Sequence, residues 1–206
     1  MFIAFEGGDG VGKTTQLELL AFALAERGWP VVCFRDPGST ALGEELRGIL
    51  LRRQELPISP VAETLLYMAA RAQLVDEKIR PALAEGKVVL CDRFLLSNVV
   101  YQGYGCGLDP RQVWEIGRVA TGGVLPTLTL VLDLPEDEAV KRRKASPDRL
   151  EARDAEFHRR VREGFLAEAA KAPTSTVVVD ASPPTQEVHR RILEIVLERL
   201  HQRGKK

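Results

Sequence analysis

One stretch constrains this chain more than any other: Gly7-Gly8-Asp9-Gly10-Val11-Gly12-Lys13-Thr14. An apolar run, Phe2-Ile3-Ala4-Phe5, precedes it. A helical apolar pattern through Leu17, Leu19, Leu20, Phe22, Ala23 and Leu24 follows. Strand, glycine turn and helix form the context that the phosphate-binding pattern G-x-x-x-x-G-K-S/T requires. Glycines reach φ > 0 and bring backbone N–H groups close to phosphate oxygens. The new helix points its positive end and unpaired N–H groups at the same place. Lys13 then reaches the β/γ-phosphates, and the Thr14 hydroxyl is a ligand for Mg²⁺. A purely structural glycine turn before a helix is the competing reading. The loop specifies a nucleotide and leaves the acceptor open.

Bulk properties narrow the class. A chain of 206 residues is long enough for one domain, or a domain with a lid, with a full core and no disulfides. Acids and bases balance at 29 each, which argues against a global basic field for nucleic acid. No apolar run approaches membrane-spanning length, and Glu6 interrupts the N-terminal run too early for a signal peptide. A cytoplasmic protein is expected. The three cysteines, Cys33, Cys91 and Cys106, form no C-x-x-C pair, in keeping with a reducing compartment. Cys33 and Cys91 lie in strand-like runs and are expected to pack. His158, His189 and His201 sit in polar helical stretches without ligand spacing and are expected to be solvated.

Five apolar, β-rich runs alternate with helical patterns: Phe2–Phe5, Val31–Phe34, Val88–Cys91, Leu128–Leu132 and Thr176–Val179. Near-continuous apolar strands are buried on both faces, as in a parallel sheet covered by helices. The expected fold is a doubly wound α/β five-stranded parallel sheet, with ligands beyond the carboxyl ends of its strands. After the second strand comes Arg35-Asp36-Pro37-Gly38, a site turn or a polar turn with a surface ion pair. Ser59-Pro60 starts a helix. On it Tyr67 and Arg71 share a face, either to stack on a base and donate to its edge, or as a core-edge tyrosine and a surface arginine. Pro81 should kink or break that helix, and Gly86 can cap it. Asp92 ends the third strand in the Walker-B placement for Mg²⁺, with Arg93 beside it. Ser97 with Tyr101, and Asn98 with Gln102, then form two polar rows one helical turn apart. Lys141-Arg142-Arg143-Lys144, leading to Arg149, is the densest basic segment. It is either a solvated helix end or a lid closing over phosphates.

Taken together, these segments resemble the thymidylate kinase family over nearly the whole chain. The resemblance rests on Phe5-Glu6-Gly7 through Thr15, Arg35-Asp36-Pro37-Gly38, Leu65 through Arg71, Asp92-Arg93-Phe94, Ser97, Tyr101-Gln102-Gly103 and Asp148-Arg149-Leu150-Glu151. It implies a P-loop kinase domain over residues 1–206 with a lid near 141–153, ATP and thymidine monophosphate (dTMP) as substrates, Mg²⁺, and a homodimer. It further implies that Gly7, Gly8, Asp9, Gly10, Val11, Gly12, Lys13, Thr14 and Thr15 hold the ATP phosphates. Arg142 would stack on adenine, and Thr14 and Asp92 would serve the metal. Arg35, Arg47 and Arg93 would surround the acceptor phosphate, Asp36 would also belong to the dTMP site, and Asp9 would lie near the 3′-hydroxyl and the reacting phosphates. Tyr67 would stack on thymine and Arg71 donate to its O4. Ser97, Asn98 and Gln102 would address the acceptor, and Tyr101 would lie against the deoxyribose. Lys13, Arg93, Asp9, Arg143 and Arg149 would be the catalytic set. Tyr67 replaces a usual phenylalanine, and Asp36 a usual glutamate. Gly10 stands where some relatives carry a basic residue, which assigns the catalytic cation to the lid.

Other classes are open to exclusion. A kinase for another nucleotide would keep Lys13 and lose the thymine-reading set. A GTP-binding switch would need an N-K-x-D motif, but the sole asparagine, Asn98, is followed by valine. A P-loop binding or assembly module would show no turnover, and phosphate transfer that persisted in Lys13→Ala would contradict a catalytic P-loop.

Overall fold

The computed structural model describes residues 1–52, 56–142, 150 and 153–203. Strands β1 (Phe2–Glu6), β2 (Val31–Arg35), β3 (Val88–Asp92), β4 (Leu128–Asp133) and β5 (Thr176–Asp180) form one parallel sheet in the order β2-β3-β1-β4-β5. The helices are α1 (Lys13–Ala25), α2 (Ala41–Arg47), α3 (Pro60–Leu74), α4 (Arg80–Ala84), α5 (Leu95–Asn98), α6 (Pro110–Ala120), α7 (Glu136–Arg142), α8 (Ala155–Lys171) and α9 (Thr185–Arg203). This is the expected doubly wound α/β architecture. The chain leaves β1 for one side of the sheet and returns past it to the other, so β1 lies at the switch point where such sheets bind ligands.

Each strand extends beyond its expected apolar run by one polar residue: Glu6, Arg35, Asp92, Asp133 or Asp180. The parallel ladder explains this, because Arg35 stays in register with Asp92, and Asp133 with Asp180. Side-chain chemistry at the carboxyl edge therefore belongs to the sheet itself.

Strand alternation sends residues to two cores. Phe2, Ala4, Val89, Cys91 and Val131 pack with Tyr67, Met68, Leu74, Phe157 and Phe165 from α3 and α8. Ile3, Phe5, Leu90, Leu130 and Leu132 pack with Leu17, Leu20 and Leu24 of α1 and Ile192 and Val196 of α9. The central strand β1 is buried throughout, whereas edge strand β2 is not. Cys33 on β2 is consequently exposed, contrary to the packed role expected for it, while Cys91 on β3 is buried.

Ser59 caps α3 by accepting from the Ala62 N–H at 3.3 Å, with Pro60 at the first helical position, as expected. Pro81 does not break the helix. A π-helical turn over Val75–Ile79 joins α3 to α4, and its wider ring accommodates the missing N–H. Gly86, at φ 75°, then ends the helix. Further π-helical turns run over Gly48–Arg52 and Val99–Gly105.

Candidate active site

A cleft of about 890 Å³ lies along the carboxyl edge of the sheet. One end is built from the loop between β1 and α1. Gly7 adopts φ 132°, and a Cβ there would overlap the Leu132 carbonyl oxygen. Only glycine lets this turn sit against β4. Lys13 opens α1 and is buried; its Nζ donates to the carbonyl oxygens of Gly7 at 3.2 Å and Gly8 at 2.5 Å. Burial, and then the nearby Arg93 guanidinium, lower its pKa to about 8. An ammonium short of countercharge is poised to accept a polyphosphate. The Thr14 hydroxyl donates to Asp92 Oδ2 at 2.5 Å, which joins α1 to the end of β3. Farther along, Arg142 of α7 donates to the Ala181 carbonyl at 3.1 Å, and Gln16 of α1 to the Thr185 carbonyl at 2.9 Å. Arg142, Gln16 and the segment from Ala181 to Thr185 all line the cleft here.

Arg93 occupies the middle. It is a non-glycine residue at φ 67°, a left-handed conformation that its surroundings must hold. Its N–H donates to the Phe5 carbonyl at 2.9 Å. Nη1 donates to the Gly7 carbonyl and to Ser97 Oγ, both at 3.1 Å. Nη2 donates to Asp9 Oδ1 and, at 3.2 Å, to the Tyr101 hydroxyl. The guanidinium carbon stands 5.0 Å from the Tyr101 ring centre, and the Tyr101 hydroxyl donates to Asp9 Oδ2 at 2.7 Å. Arg93, Asp9, Ser97 and Tyr101 thus form one network joining the phosphate loop to the segment after β3.

The opposite end is lined by Arg35, Asp36, Arg47, Tyr67, Arg71, Asn98 and Gln102. Arg71 is not the surface arginine of the competing reading. It is 1% exposed, and Nε donates to Asp36 Oδ2 at 2.6 Å. Nη2 donates to the Phe94 carbonyl at 3.2 Å. Tyr67 is buried one helical turn away. Arg35 does not pair with its neighbour Asp36: successive residues at a strand end point to opposite sides. Arg35 instead meets Glu44 at 3.0 Å, half exposed, while Asp36 turns inward to Arg71. Arg47 donates to the Pro37 carbonyl at 3.0 Å. Asn98 Nδ2 donates to Gln102 Oε1 at 2.7 Å, and Gln102 Nε2 to Glu63 Oε2 at 2.9 Å.

The thymidylate kinase family model matches residues 5–192. The chain belongs to the thymidylate kinase family. It is 50% identical over 200 residues to a thymidylate kinase of a Synechococcus species, covering 97% of this chain and 96% of the relative. It is likewise 50% identical over 200 residues to that of Pelotomaculum thermopropionicum, covering 96% and 93%. The crystal structure of thymidylate kinase from Ehrlichia chaffeensis superimposes with a TM-score of 0.79 at 33% identity, covering 96% of this chain and 98% of that one.

Sequence reasoning missed two residues at this thymidylate kinase family site. Glu6 is fully buried at the end of β1. Its Oε1 accepts from the N–H groups of Phe94 at 2.8 Å and Ser97 at 3.3 Å, and its Oε2 from the Ser97 hydroxyl at 2.5 Å. It therefore anchors the segment that displays Arg93. Burial dominates over these bonds and raises its pKa to about 7. The available signal was a charge directly after an apolar strand. Glu63, also buried, showed none beyond its place in the first turn of α3. His158 is buried rather than solvated, with its ring centre 5.4 Å from that of Phe157, because it falls on the inner face of α8. No metal-holding cluster of three His, Cys, Asp or Glu occurs among the described residues. The expected lid cations Arg143 and Arg149, with Lys144, lie outside the described residues.

Proposed function

We propose that this protein transfers the γ-phosphoryl group of ATP to thymidine monophosphate, giving ADP and thymidine diphosphate for DNA precursor synthesis. One observation carries the reading. In a chain of the thymidylate kinase family, a single cleft has a phosphate loop at one end and the Tyr67–Arg71 pocket at the other, with Arg93 and Asp9 between them.

Phosphoryl transfer asks the protein for alignment and charge neutralisation more than for covalent chemistry. Gly7 through Thr15 hold the ATP phosphates, and Lys13 turns from the loop carbonyls to the phosphate oxygens. Arg142 and the segment after β5 enclose adenine. Arg35, Arg47 and Arg93 face the acceptor phosphate. Tyr67 stacks on thymine, and Arg71, set by Asp36, donates to O4. Tyr101 and Asp9 lie against the deoxyribose. The acceptor phosphate is already an anion at neutral pH, so no strong general base is required. Closure of a lid over residues 141–153, bringing Arg143 and Arg149 to the phosphates, would exclude water.

Mg²⁺ fits the donor set at Thr14 and Asp92. It needs few protein oxygens, since phosphates and water complete its octahedron. When bound it supplies charge neutralisation on the phosphates. We also propose a cytoplasmic homodimer. Helices α3 and α6, which pack together, leave Val61, Leu65, Ile116 and Val119 exposed, and covering them in a second copy would remove apolar surface from water. Light scattering that finds a monomer at micromolar concentration would refute it. Among the described residues no helix is long and apolar enough to cross a membrane.

The deciding experiment supplies purified protein with Mg-ATP and each of the four deoxynucleoside monophosphates. Thymidine monophosphate should be phosphorylated with the highest kcat/KM. Preference for another base would reject the assignment.

A further inference from the structure

We infer that Glu63 is a specificity-determining positioning residue: through Gln102 it fixes the orientation of the Asn98 amide, and so the hydrogen-bonding sense of the acceptor-base pocket. The inference rests on the acceptor being a thymine nucleotide.

A carboxylate accepts hydrogen bonds and donates none, whereas a primary amide has one end of each kind. Glu63 sits in the first turn of α3, buried, with its Oε2 turned toward Gln102 as an acceptor. Facing it, Gln102 must present its Nε2, and the bond is 2.9 Å. The Gln102 carbonyl oxygen then faces Asn98, which must present its own Nδ2, at 2.7 Å. The polarity set at Glu63 thus passes along two amides. It leaves Asn98 Oδ1 as a buried acceptor without a hydrogen-bond partner. Buried polar atoms normally have partners, so an orphan of this kind calls for an explanation. Asn98 and Gln102 line the cleft, and Glu63 does not. With Asn98 at the cleft wall, a donor on the ligand would supply that partner.

Thymine offers one. Its N3 carries a hydrogen and its O4 accepts, matching Asn98 Oδ1 and the Arg71 guanidinium. Cytosine inverts both, with a bare N3 and an amino group at C4. Holding Asn98 Oδ1 toward N3 therefore sets two acceptors against each other when cytosine enters. Uracil shares N3–H and O4 with thymine, and the relay does not separate those two.

The test is steady-state kinetics of Glu63→Gln with Mg-ATP and dTMP, dCMP or dUMP. The substitution frees both amides of the relay to flip, so the dTMP:dCMP ratio of kcat/KM should fall about tenfold, carried by acceptor KM. The dTMP:dUMP ratio and the KM for ATP should stay within about twofold. Adding Asn98→Asp reverses the relay: the amide introduced at position 63 donates to Gln102, and Gln102 donates to the carboxylate introduced at position 98. The second oxygen of that carboxylate then faces N3 as an acceptor, and discrimination should return. If Glu63→Gln does not fold, Glu63→Leu with Gln102→Leu removes both partners together and should lower the same ratio. An unchanged dTMP:dCMP ratio in a folded variant, or a double variant no different from Glu63→Gln, overturns the inference. A wild-type protein that does not prefer dTMP over dCMP instead overturns the functional assignment on which it stands.

Discussion

The two ends of the cleft are built by different means. The phosphate end is mostly backbone: a contiguous loop whose glycines supply the conformation, with Lys13 folded onto its own carbonyl oxygens. The acceptor end is mostly side chain. Its groups come from β2, α3 and the segment after β3, and are held by pairs far apart in sequence, such as Arg71–Asp36 and Gln102–Glu63. Backbone cradles recognise what all nucleotides share, because N–H groups and a helix end answer to phosphate alone. Recognition of one base needs donors and acceptors fixed in space, and packed helices fix them. The two ends should therefore fail separately, and Arg93, which touches both, should fail in both.

The largest expected effect is Lys13→Ala. Removing the cation proposed to meet the transferring phosphates should lower kcat on the order of a thousandfold, with dTMP binding by calorimetry nearly unchanged. Comparable loss of dTMP binding would break the separation. Next, Arg71→Ala leaves the Asp36 carboxylate buried without its cation. We expect a stability loss of about 3–5 kcal/mol in chemical denaturation, far above that of Arg35→Ala, whose pair with Glu44 is half exposed. Similar losses would show that burial does not distinguish the two pairs. Arg93→Ala should lower kcat/KM about a hundredfold for both substrates. An effect confined to one substrate would place Arg93 at one end only.

The smallest effect concerns Glu6. Its pKa is about 7 in the folded protein against 4.5 ordinarily, so between those values the native state binds more protons than the unfolded chain. Stability should therefore fall as pH rises through that window, by roughly 1 kcal/mol per unit. Arg93, Arg71 and Lys13 are the charges that oppose this shift or share its surroundings. Glu6→Gln should flatten the slope in denaturation from pH 4.5 to 7. An unchanged slope would assign it to other groups.

The same contrast explains what the sequence made legible. The loop could be read because its chemistry is local, and the five strands because apolar runs carry them. The polar residue that closes a strand was legible at Asp92, but not at Glu6, whose place in the ladder is decided by its partner Val131. Arg71 was seen to share a face with Tyr67, but its burial against Asp36 depends on a residue 35 positions earlier. Glu6 and Glu63 look in sequence like ordinary helix-end or strand-end charges. Their roles arise only when β1 meets α5, and α3 meets the π-helical turn Val99–Gly105. The π-helical turns themselves carry no periodic signal.

The central claim is that donor and acceptor recognition are separable. It is tested most directly by titrating Arg71→Lys, which keeps a cation beside Asp36 but loses the planar fork of donors, with dTMP and with a non-hydrolysable ATP analogue. In Arg71→Lys, dTMP binding should weaken at least about tenfold while ATP-analogue binding stays within about twofold of wild type. Equal losses for the two ligands would contradict it.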